Sequence, residues 1–276
     1  MLNDCFLCFP SGLSDLSEQI KAATKDNHVR AENTQLMLSY QKGEITLVQY
    51  KVLLCSLYEI YRALEDEMDR NASHPAVAPI YFPQELSRVE SLESDLEHFF
   101  GSEWRKRVIV PAATQRYGQR LRQIGRENPE LLVAHAYTRY LGDLSGGQVL
   151  GKITQKSLGL SSKEGLSFFY FPSVSSPNRF KQLYRSRMNS IELTEKEKAA
   201  VLEEAVQAFE LNIQVRDLRM NFSVQSQNAA NAVATETADQ HKDRSPAAVL
   251  PSSPIVQFTV GLCVALATIG VGMYAL

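Results

Sequence analysis

The sequence predicts an all-α protein, with a single multi-helix domain followed by a C-terminal transmembrane helix. Three observations support this prediction: apolar residues recur at spacings of three and four, no segment alternates like a strand over a useful length, and the 276 residues include only 14 glycines and 11 prolines. The composition, 44% hydrophobic and 22% charged, is typical of a folded globular protein. A net charge of −2 argues against general attraction to nucleic acid.

Helices are predicted in chain order within residues 12–222. Each prediction rests on an apolar stripe and on a start signal such as Pro, Ser or Thr. The last helix opens with a capping box, because Glu197 follows Thr194 by three residues. The segment 167–171 is expected to pack as a loop. The predicted helices span residues 14–32, 47–69, 84–100, 111–126, 129–158, 176–189 and 194–222.

Three further segments lie outside this predicted domain. Residues 255–276 carry no charged side chain and would extend about 33 Å as a helix, enough to cross a hydrocarbon core of about 30 Å. They are predicted to be a tail anchor, with a buried core helix as the alternative. Residues 223–254 lack aromatic side chains and are expected to form a disordered linker. Residues 1–11 form an N-terminal segment without the basic start of a secretory signal.

The predicted helix after Pro129 contains four glycines, each of which costs about 1 kcal/mol relative to Ala. Two of them, Gly142 and Gly146, share a face, and a face without side chains lets a flat, bulky ligand approach the backbone. Close contact between helices is the alternative explanation. Asp143 lies beside this face and could organise water and deliver protons, or it could be a solvated surface acid.

A second set of candidate residues lies on the first helix. Lys21, His28 and Glu32 fall within about 40° of one another around the helix axis. His28 could ligate a metal while Glu32 orients its other ring nitrogen, although a polar helix edge is the alternative. On a later helix, Lys181 and Arg185 are four residues apart and could hold carboxylates or propionates.

The other metal patterns in the sequence are weaker. None of the five histidines follows a Glu by three residues, which leaves out the paired motif of di-iron bundles. Cys5 and Cys8 form a Cys-x-x-Cys without the second pair that zinc requires. A single histidine ligand with room for a flat molecule favours heme over zinc.

Residues 131–148, LLVAHAYTRYLGDLSGGQ, resemble the signature of the heme oxygenase family. The resemblance extends to the stretch KAATKDNHVRAEN around His28 and to residues 81–86, 180–190 and 208–214, so that it covers nearly all of residues 12–222 and the hydrophobic tail. It is closest to the vertebrate microsomal form. None of the four cysteines precedes a proline, which favours the inducible isoform.

The resemblance implies a role for each candidate residue. His28 is implied to be the proximal heme ligand, and Asp143 the distal carboxylate that holds a water network. Gly142 and Gly146 are implied to press backbone against the heme. The groups implied around the heme propionates are Lys21, Tyr137, Lys181 and Arg185. The other implied positions are Glu32, Thr138, Arg139, Phe209 and Asn212 in the pocket and Tyr61 in the distal hydrogen-bond network.

The resemblance also implies an activity. Heme b would be both substrate and prosthetic group, and dioxygen would cleave it at the α-meso carbon to biliverdin, carbon monoxide and ferrous iron. Two alternatives stay open from the residues: a non-catalytic heme-sequestering or sensing protein and a structural membrane adaptor.

Electrons must come from a partner, since the chain has no Gly-x-Gly-x-x-Gly motif for a dinucleotide. The family implies NADPH–cytochrome P-450 reductase as that partner, biliverdin reductase downstream, and an endoplasmic reticulum membrane with the catalytic domain facing the cytosol. Residues 105–126 contain seven Lys or Arg and residues 179–187 contain four, both without an acid. Such a surface could dock an acidic flavoprotein, or it could simply be a solvated face.

Overall fold

The computed structural model describes residues 15–216, and every regular element in this range is helical, which confirms the all-α prediction. In chain order the α-helices are α1 (Leu16–Ala23), α2 (Lys25–Glu32), α3 (Gln35–Gln41), α4 (Leu47–Arg70), α5 (Pro83–Leu86), α6 (Val89–Phe100), α7 (Trp104–Arg107), α8 (Ala112–Glu127), α9 (Leu132–Ala136), α10 (Gly142–Ser157), α11 (Pro177–Asn189) and α12 (Glu195–Arg216). Short 3-10 turns lie at Ala78–Ile80, Pro129–Leu131 and Ser167–Phe169, and a π-helical turn lies at Tyr137–Leu141.

The predictions for the chain ends concern residues that the structure does not describe. The N-terminal segment 1–11, the linker 223–254 and the anchor 255–276 all lie outside residues 15–216, as does the end of the last predicted helix. Among the helices between residues 15 and 216, none combines the length and hydropathy needed to cross a membrane.

Helix α4 forms the centre of the domain, where it packs against α6, α8 and α9. Its inward face carries the fully buried Tyr50, Leu54 and Leu64. The helix begins with a capping box: the Gln49 amide donates to the Thr46 hydroxyl at 3.2 Å, and the Thr46 amide donates to the Gln49 side chain at 2.8 Å. An N-cap of this kind contributes about 1 kcal/mol to stability.

Two helices that were predicted to be continuous are divided in the structure, so those boundaries were wrong. The first divides at Thr24, whose hydroxyl donates to the Ile20 carbonyl at 2.8 Å, and gives α1 and α2. The third divides before α6 because the carboxylate of Glu65, which projects from α4, accepts the backbone amides of Arg88 and Val89 at 2.6 and 3.4 Å. A carboxylate at a helix N-terminus satisfies amides that have no partner within the helix.

The predicted helix 129–158 is also divided, into a 3-10 turn, α9, the π-helical turn and α10. The π-helical turn ends directly before Gly142. Such turns insert one residue into the helical ladder and frequently mark functional sites. The segment 167–171, predicted to be a loop, begins as a 3-10 turn over Ser167–Phe169.

Candidate active site

Helix α12 brings two predicted groups of site residues to one region of the domain. It packs against α2, which carries His28, and against the π-helical turn that precedes α10. The Phe209 ring lies 5.8 Å from the His28 ring between centroids. Three residues further along α12, the Asn212 side-chain oxygen accepts from Arg139 Nη1 at 2.8 Å. The candidate site therefore has two walls, one on α2 with His28 and one at the start of α10 with Asp143. Residues of both walls contact the same stretch of α12.

On the first wall, His28 is buried, with only 7% of its surface exposed. Its Nδ1 lies 3.5 Å from Glu32 Oε1, one helical turn away. That Glu32 oxygen is buried and accepts no hydrogen bond from any residue between 15 and 216. Burial raises the pKa of Glu32, and the charge of Arg216 opposes this increase. The wall on the α2 side is therefore polar, and its hydrogen-bonding capacity is only partly used.

On the second wall, Asp143 lies in the first turn of α10 and is held by two donors. Arg139 Nη2 donates to its Oδ2 at 2.5 Å, and the Tyr61 hydroxyl donates to the same oxygen. Burial lowers the pKa of Arg139, but the neighbouring side chains, chiefly the carboxylate of Asp143, outweigh burial and raise it above its usual value. Burial and the facing Asp143 raise the pKa of Tyr61. Arg139 is therefore a permanent cation and Tyr61 a neutral donor.

Buried hydrogen bonds continue from Arg139 to residues that the sequence analysis missed as site residues. Asn212 Nδ2 donates to the Tyr117 hydroxyl oxygen at 3.1 Å, which is 3.2 Å from His135 Nδ1, and His135 Nε2 lies 2.8 Å from Glu204. Because an arginine only donates, Asn212 accepts from it through the side-chain oxygen and donates onward from Nδ2 to Tyr117. His135 then joins Tyr117 on one side to Glu204 on the other.

This network also engages His135, a second buried histidine. Its ring is fully buried and both nitrogens are engaged within the protein. The signal that could have revealed the network is Glu204, an acid one residue before Ala205 on the apolar face of α12. A buried charge on such a face requires a partner.

The glycines of α10 differ in the space around them. A Cβ added at Gly142 would meet nothing within 4 Å, whereas one at Gly147 would lie 3.2 Å from the Phe169 carbonyl oxygen and one at Gly151 would lie 3.1 Å from Phe169 Cβ. Gly142 therefore leaves space beside Asp143, and the later two allow close packing. Gly146 is buried one turn after Gly142.

The basic residues predicted for carboxylate binding are partly brought together. Lys181 of α11 is buried, and burial and the charge of Arg185 lower its pKa. Burial raises the pKa of Tyr137, while the charge and hydrogen bond of Arg185 oppose the increase. Lys21 of α1, which packs against α11, lies 3.5 Å from Glu18.

Thr138, also predicted for the pocket, is half-buried in the π-helical turn. Its hydroxyl donates to the Ala134 carbonyl at 2.8 Å. The hydroxyl thus satisfies a carbonyl of its own helix.

The residues fit a heme group. Within the part of the chain that the structure describes, no side chain covers the backbone of Gly142, and a buried oxygen of Glu32 has no hydrogen-bond partner. His28 is a buried imidazole, and Lys181 and Arg185 are cations suited to the two carboxylates of a porphyrin. The imidazole of His28 lies on one side of the site and the uncovered backbone of Gly142 on the other, and both sides contact α12. This arrangement defines a helical heme-binding protein.

The chain belongs to the heme oxygenase family, whose model matches residues 14–217. It is 61% identical over 263 residues to a heme oxygenase of Takifugu rubripes, covering 95% of both chains. It is 46% identical to heme oxygenase 1 of Homo sapiens, over 95% of this chain and 96% of the human one. A crystal structure of heme oxygenase-1 from the cyanobacterium Synechocystis in complex with heme superposes with a TM-score of 0.72 at 37% identity, over 81% of this chain and 99% of the other. The protein is an enzyme that degrades heme.

Proposed function

We propose that this chain opens heme at the α-meso carbon and forms biliverdin, carbon monoxide and ferrous iron. Dioxygen is the co-substrate, and NADPH–cytochrome P-450 reductase supplies the electrons. The observation that carries this proposal is the fixation of Asp143: both Arg139 and Tyr61 donate to its Oδ2, next to the open backbone of Gly142. Anchoring through one oxygen leaves Oδ1 to hold water and pass protons.

The site residues then have separate tasks. Heme, when bound, would supply an iron centre at which dioxygen is reduced. His28 would hold that iron through its imidazole, and Glu32 would orient the ring. Asp143 would order water on the opposite face and move protons at Oδ1. Gly142 would let backbone stand against the ring and exclude bulk water.

Regioselectivity is assigned to the basic residues of α11. Lys181 and Arg185 would grip the two propionates of heme and so fix its rotation in the slot. Charge reversal at Arg185 is expected to change the mixture of biliverdin isomers, as measured by chromatography of the product. An unchanged mixture would count against this steering.

Carbon monoxide release separates the proposed function from heme sequestration. The full-length protein is mixed with heme, dioxygen, NADPH and the reductase, and carbon monoxide and biliverdin are expected in equal amounts. Asp143→Ala should retain heme and lose biliverdin formation, whereas Asp66→Ala, an exposed acid on α4, should behave like the parent. His28→Ala should lose the spectrum of histidine-ligated heme.

Three results would contradict the proposal in different ways. Heme binding without carbon monoxide release in the parent would favour a sequestering or sensing protein. No heme-induced absorption band would favour a membrane adaptor. Full turnover by Asp143→Ala would remove the proton-delivery role.

The proposed docking surface for the reductase contains fewer available cations than the seven of residues 105–126. Within residues 105–126, four cations pair with acids: Arg105 with Glu93, Lys106 with Glu103, Arg120 with Glu204 and Arg122 with Glu59. The exposed Arg107, Arg116 and Arg126 have no acid among the ion pairs of the described residues.

Reversing the charge of Arg116 and Arg126 together tests this docking surface. The expected result is a higher KM for the reductase with unchanged turnover on a chemical reductant. An unchanged KM would contradict the surface. Biliverdin reductase is the proposed consumer of the product.

The proposed location is the endoplasmic reticulum membrane, with residues 255–276 as a tail anchor and the catalytic domain in the cytosol. Its support is the absence of charged side chains over these 22 residues. Fluorescent fusions with and without residues 255–276 test it by microscopy and by resistance to carbonate extraction. Equal distribution of the two fusions would contradict the anchor.

A further inference from the structure

The segment 167–171, between α10 and α11, packs against Gly147 and Gly151 of α10. The carbonyl oxygen of Phe169 would lie 3.2 Å from a Cβ at Gly147, and its own Cβ 3.1 Å from one at Gly151. A side chain at either glycine would push the helix and the segment apart. The position of α10, which carries Asp143, therefore depends on where this segment lies.

The same segment also supports the second partner of Asp143. The Phe168 ring meets the Tyr61 ring edge-on, with centroids 5.7 Å apart and planes 63° apart. The Tyr61 hydroxyl donates to Asp143. The segment thus contacts both the helix that carries the carboxylate and the phenol that holds it.

Two buried charges from α6 and its N-cap hold the segment in place. Asp95 is fully buried, and its two oxygens accept the backbone amides of Ser167 and Phe168 at 2.7 and 2.8 Å. Arg88, only 4% exposed, donates to the Tyr170 carbonyl. Hydrogen bonds that involve an ionised group are stronger than neutral ones, and removing one partner leaves the other buried and unsatisfied.

Aromatic contacts complete this attachment. The Arg88 guanidinium lies 3.9 Å from the centroid of the Phe171 ring. The Tyr50 ring stacks on Phe169 at 6.1 Å, and the Tyr50 hydroxyl donates to the Gly165 carbonyl at 2.8 Å. The charges of Asp95 and Arg88 thus act on a segment that is also packed from α4.

We propose that Asp95 and Arg88 are positioning residues for heme cleavage, which clamp the segment 167–171 and thereby set the distance of α10 and Asp143 from the substrate. Neither side chain touches His28 or Asp143 through a hydrogen bond. A helix with four glycines is intrinsically pliable, so an external clamp supplies the rigidity that its own side chains do not. The clamp determines the position of α10, which carries Asp143, and does not change the position of α2, which carries His28.

The first test compares Asp95→Asn with Glu97→Gln, an exposed acid two residues further along α6. Asparagine has the shape of aspartate, but its amide group would face a backbone donor. We expect Asp95→Asn to bind heme within about threefold of the parent while carbon monoxide release falls about tenfold, a loss of the size that one charged hydrogen bond supports. Glu97→Gln should match the parent in both measurements.

Hydrogen exchange provides a readout that a general loss of stability would not give. In Asp95→Asn, amides of residues 144–151 should exchange about tenfold faster, while those in the centre of α4 and α8 keep the parent rate. Parent-like turnover in a folded Asp95→Asn would overturn the proposal. So would an equal loss of heme binding and turnover, or faster exchange throughout the domain.

The second test perturbs the same contact from α10, and its single variant, Gly151→Ala, can be measured even where Asp95→Asn does not fold. Gly151→Ala places a methyl group against Phe169 without touching α6, and it should lower turnover while heme binding is retained. In the double variant the two losses should be less than additive, because a released segment can move away from the methyl group. Parent-like turnover of Gly151→Ala, or fully additive losses, would overturn the clamp.

Discussion

The acid stability of this enzyme should depend on Glu204, which lies at the buried end of the hydrogen-bond network. Burial opposes its ionisation, but hydrogen bonds from His135 and Arg120 outweigh burial and lower its pKa to about 2. A pKa of 4.5 in the unfolded chain makes the difference about 2.5 units, which corresponds to about 3 kcal/mol at 1.36 kcal/mol per unit. With only 4% exposure, the carboxylate is poorly screened by solvent.

The sign of the pH effect follows from the lowered pKa. A carboxylate that is more acidic in the folded state adds stability above its unfolded pKa, and this stability is lost as the pH falls from about 4.5 towards 2. Glu204→Gln should therefore unfold about 3 kcal/mol more easily at pH 7 and show a flatter acid denaturation between pH 5 and 2. Urea titrations followed by circular dichroism measure both quantities.

Glu210 provides a matched control on the same helix. It forms an ion pair with the exposed Arg30, and exposed pairs contribute about 0–1 kcal/mol. It also accepts from Asn27 at 2.6 Å, a hydrogen bond that the side-chain oxygen of glutamine can keep. Glu210→Gln should therefore change stability by less than about 1 kcal/mol. Equal effects of the two substitutions would refute the argument that burial makes the Glu204 pairs strong.

Three other predictions follow from single contacts. Burial raises the pKa of Glu65 to about 7, so stability should fall as the pH rises from about 4.5 to 7, and Glu65→Gln should remove this fall in thermal scans. Gly142→Leu should keep or raise stability, since Gly142 has helical backbone angles. It should weaken heme binding at least about tenfold in absorbance titrations, because the leucine side chain would fill the open space proposed for heme. Thr46→Ala should cost about 1 kcal/mol in urea unfolding through loss of the α4 cap, with heme affinity unchanged.

The sequence predicted the helices where their signals are local. The apolar stripe of α4 and the proline before α8 correspond to helices that begin and end within about two residues of prediction. The capping box of Thr194 and Glu197 is formed, with hydrogen bonds of 2.8 and 3.3 Å. These features depend on residues within one turn of each other, which a linear pattern records.

The helix breaks could not be predicted, because they depend on distant residues. The break before α6 requires Glu65, which lies 23 residues earlier in the chain. The glycines of α10 all fall within one helical pattern, but Phe169 lies against Gly147 and Gly151 and not against Gly142. Periodicity carries no information about such partners.

The residues of the candidate site show the same division. The glycine pattern and the spacing of His28 and Glu32 pointed to a ligand from local arguments, and the family resemblance supplied Tyr61, Arg139 and Asn212. Glu204 stands out as an acid on the apolar face of α12, but its partners Arg120 and His135 lie 84 and 69 residues away in the chain. Tyr117 and Glu204 join one hydrogen-bond network only in the folded structure.

Asp143 is positioned in two ways, by hydrogen bonds to its side chain and by packing against its helix. Each of the two can be removed without the other. Arg139 and Tyr61 act on the side chain: both donate to Oδ2, so they fix the direction of the carboxylate. The segment 167–171 acts on the backbone, because it determines how closely α10 can approach. Loss of a donor should let the side chain of Asp143 turn without moving α10, whereas loss of the clamp should move α10 while both donors stay bonded. Lower turnover with parent-like hydrogen exchange at residues 144–151 in Tyr61→Phe, but lower turnover with faster exchange there in Asp95→Asn, is the result that this difference requires.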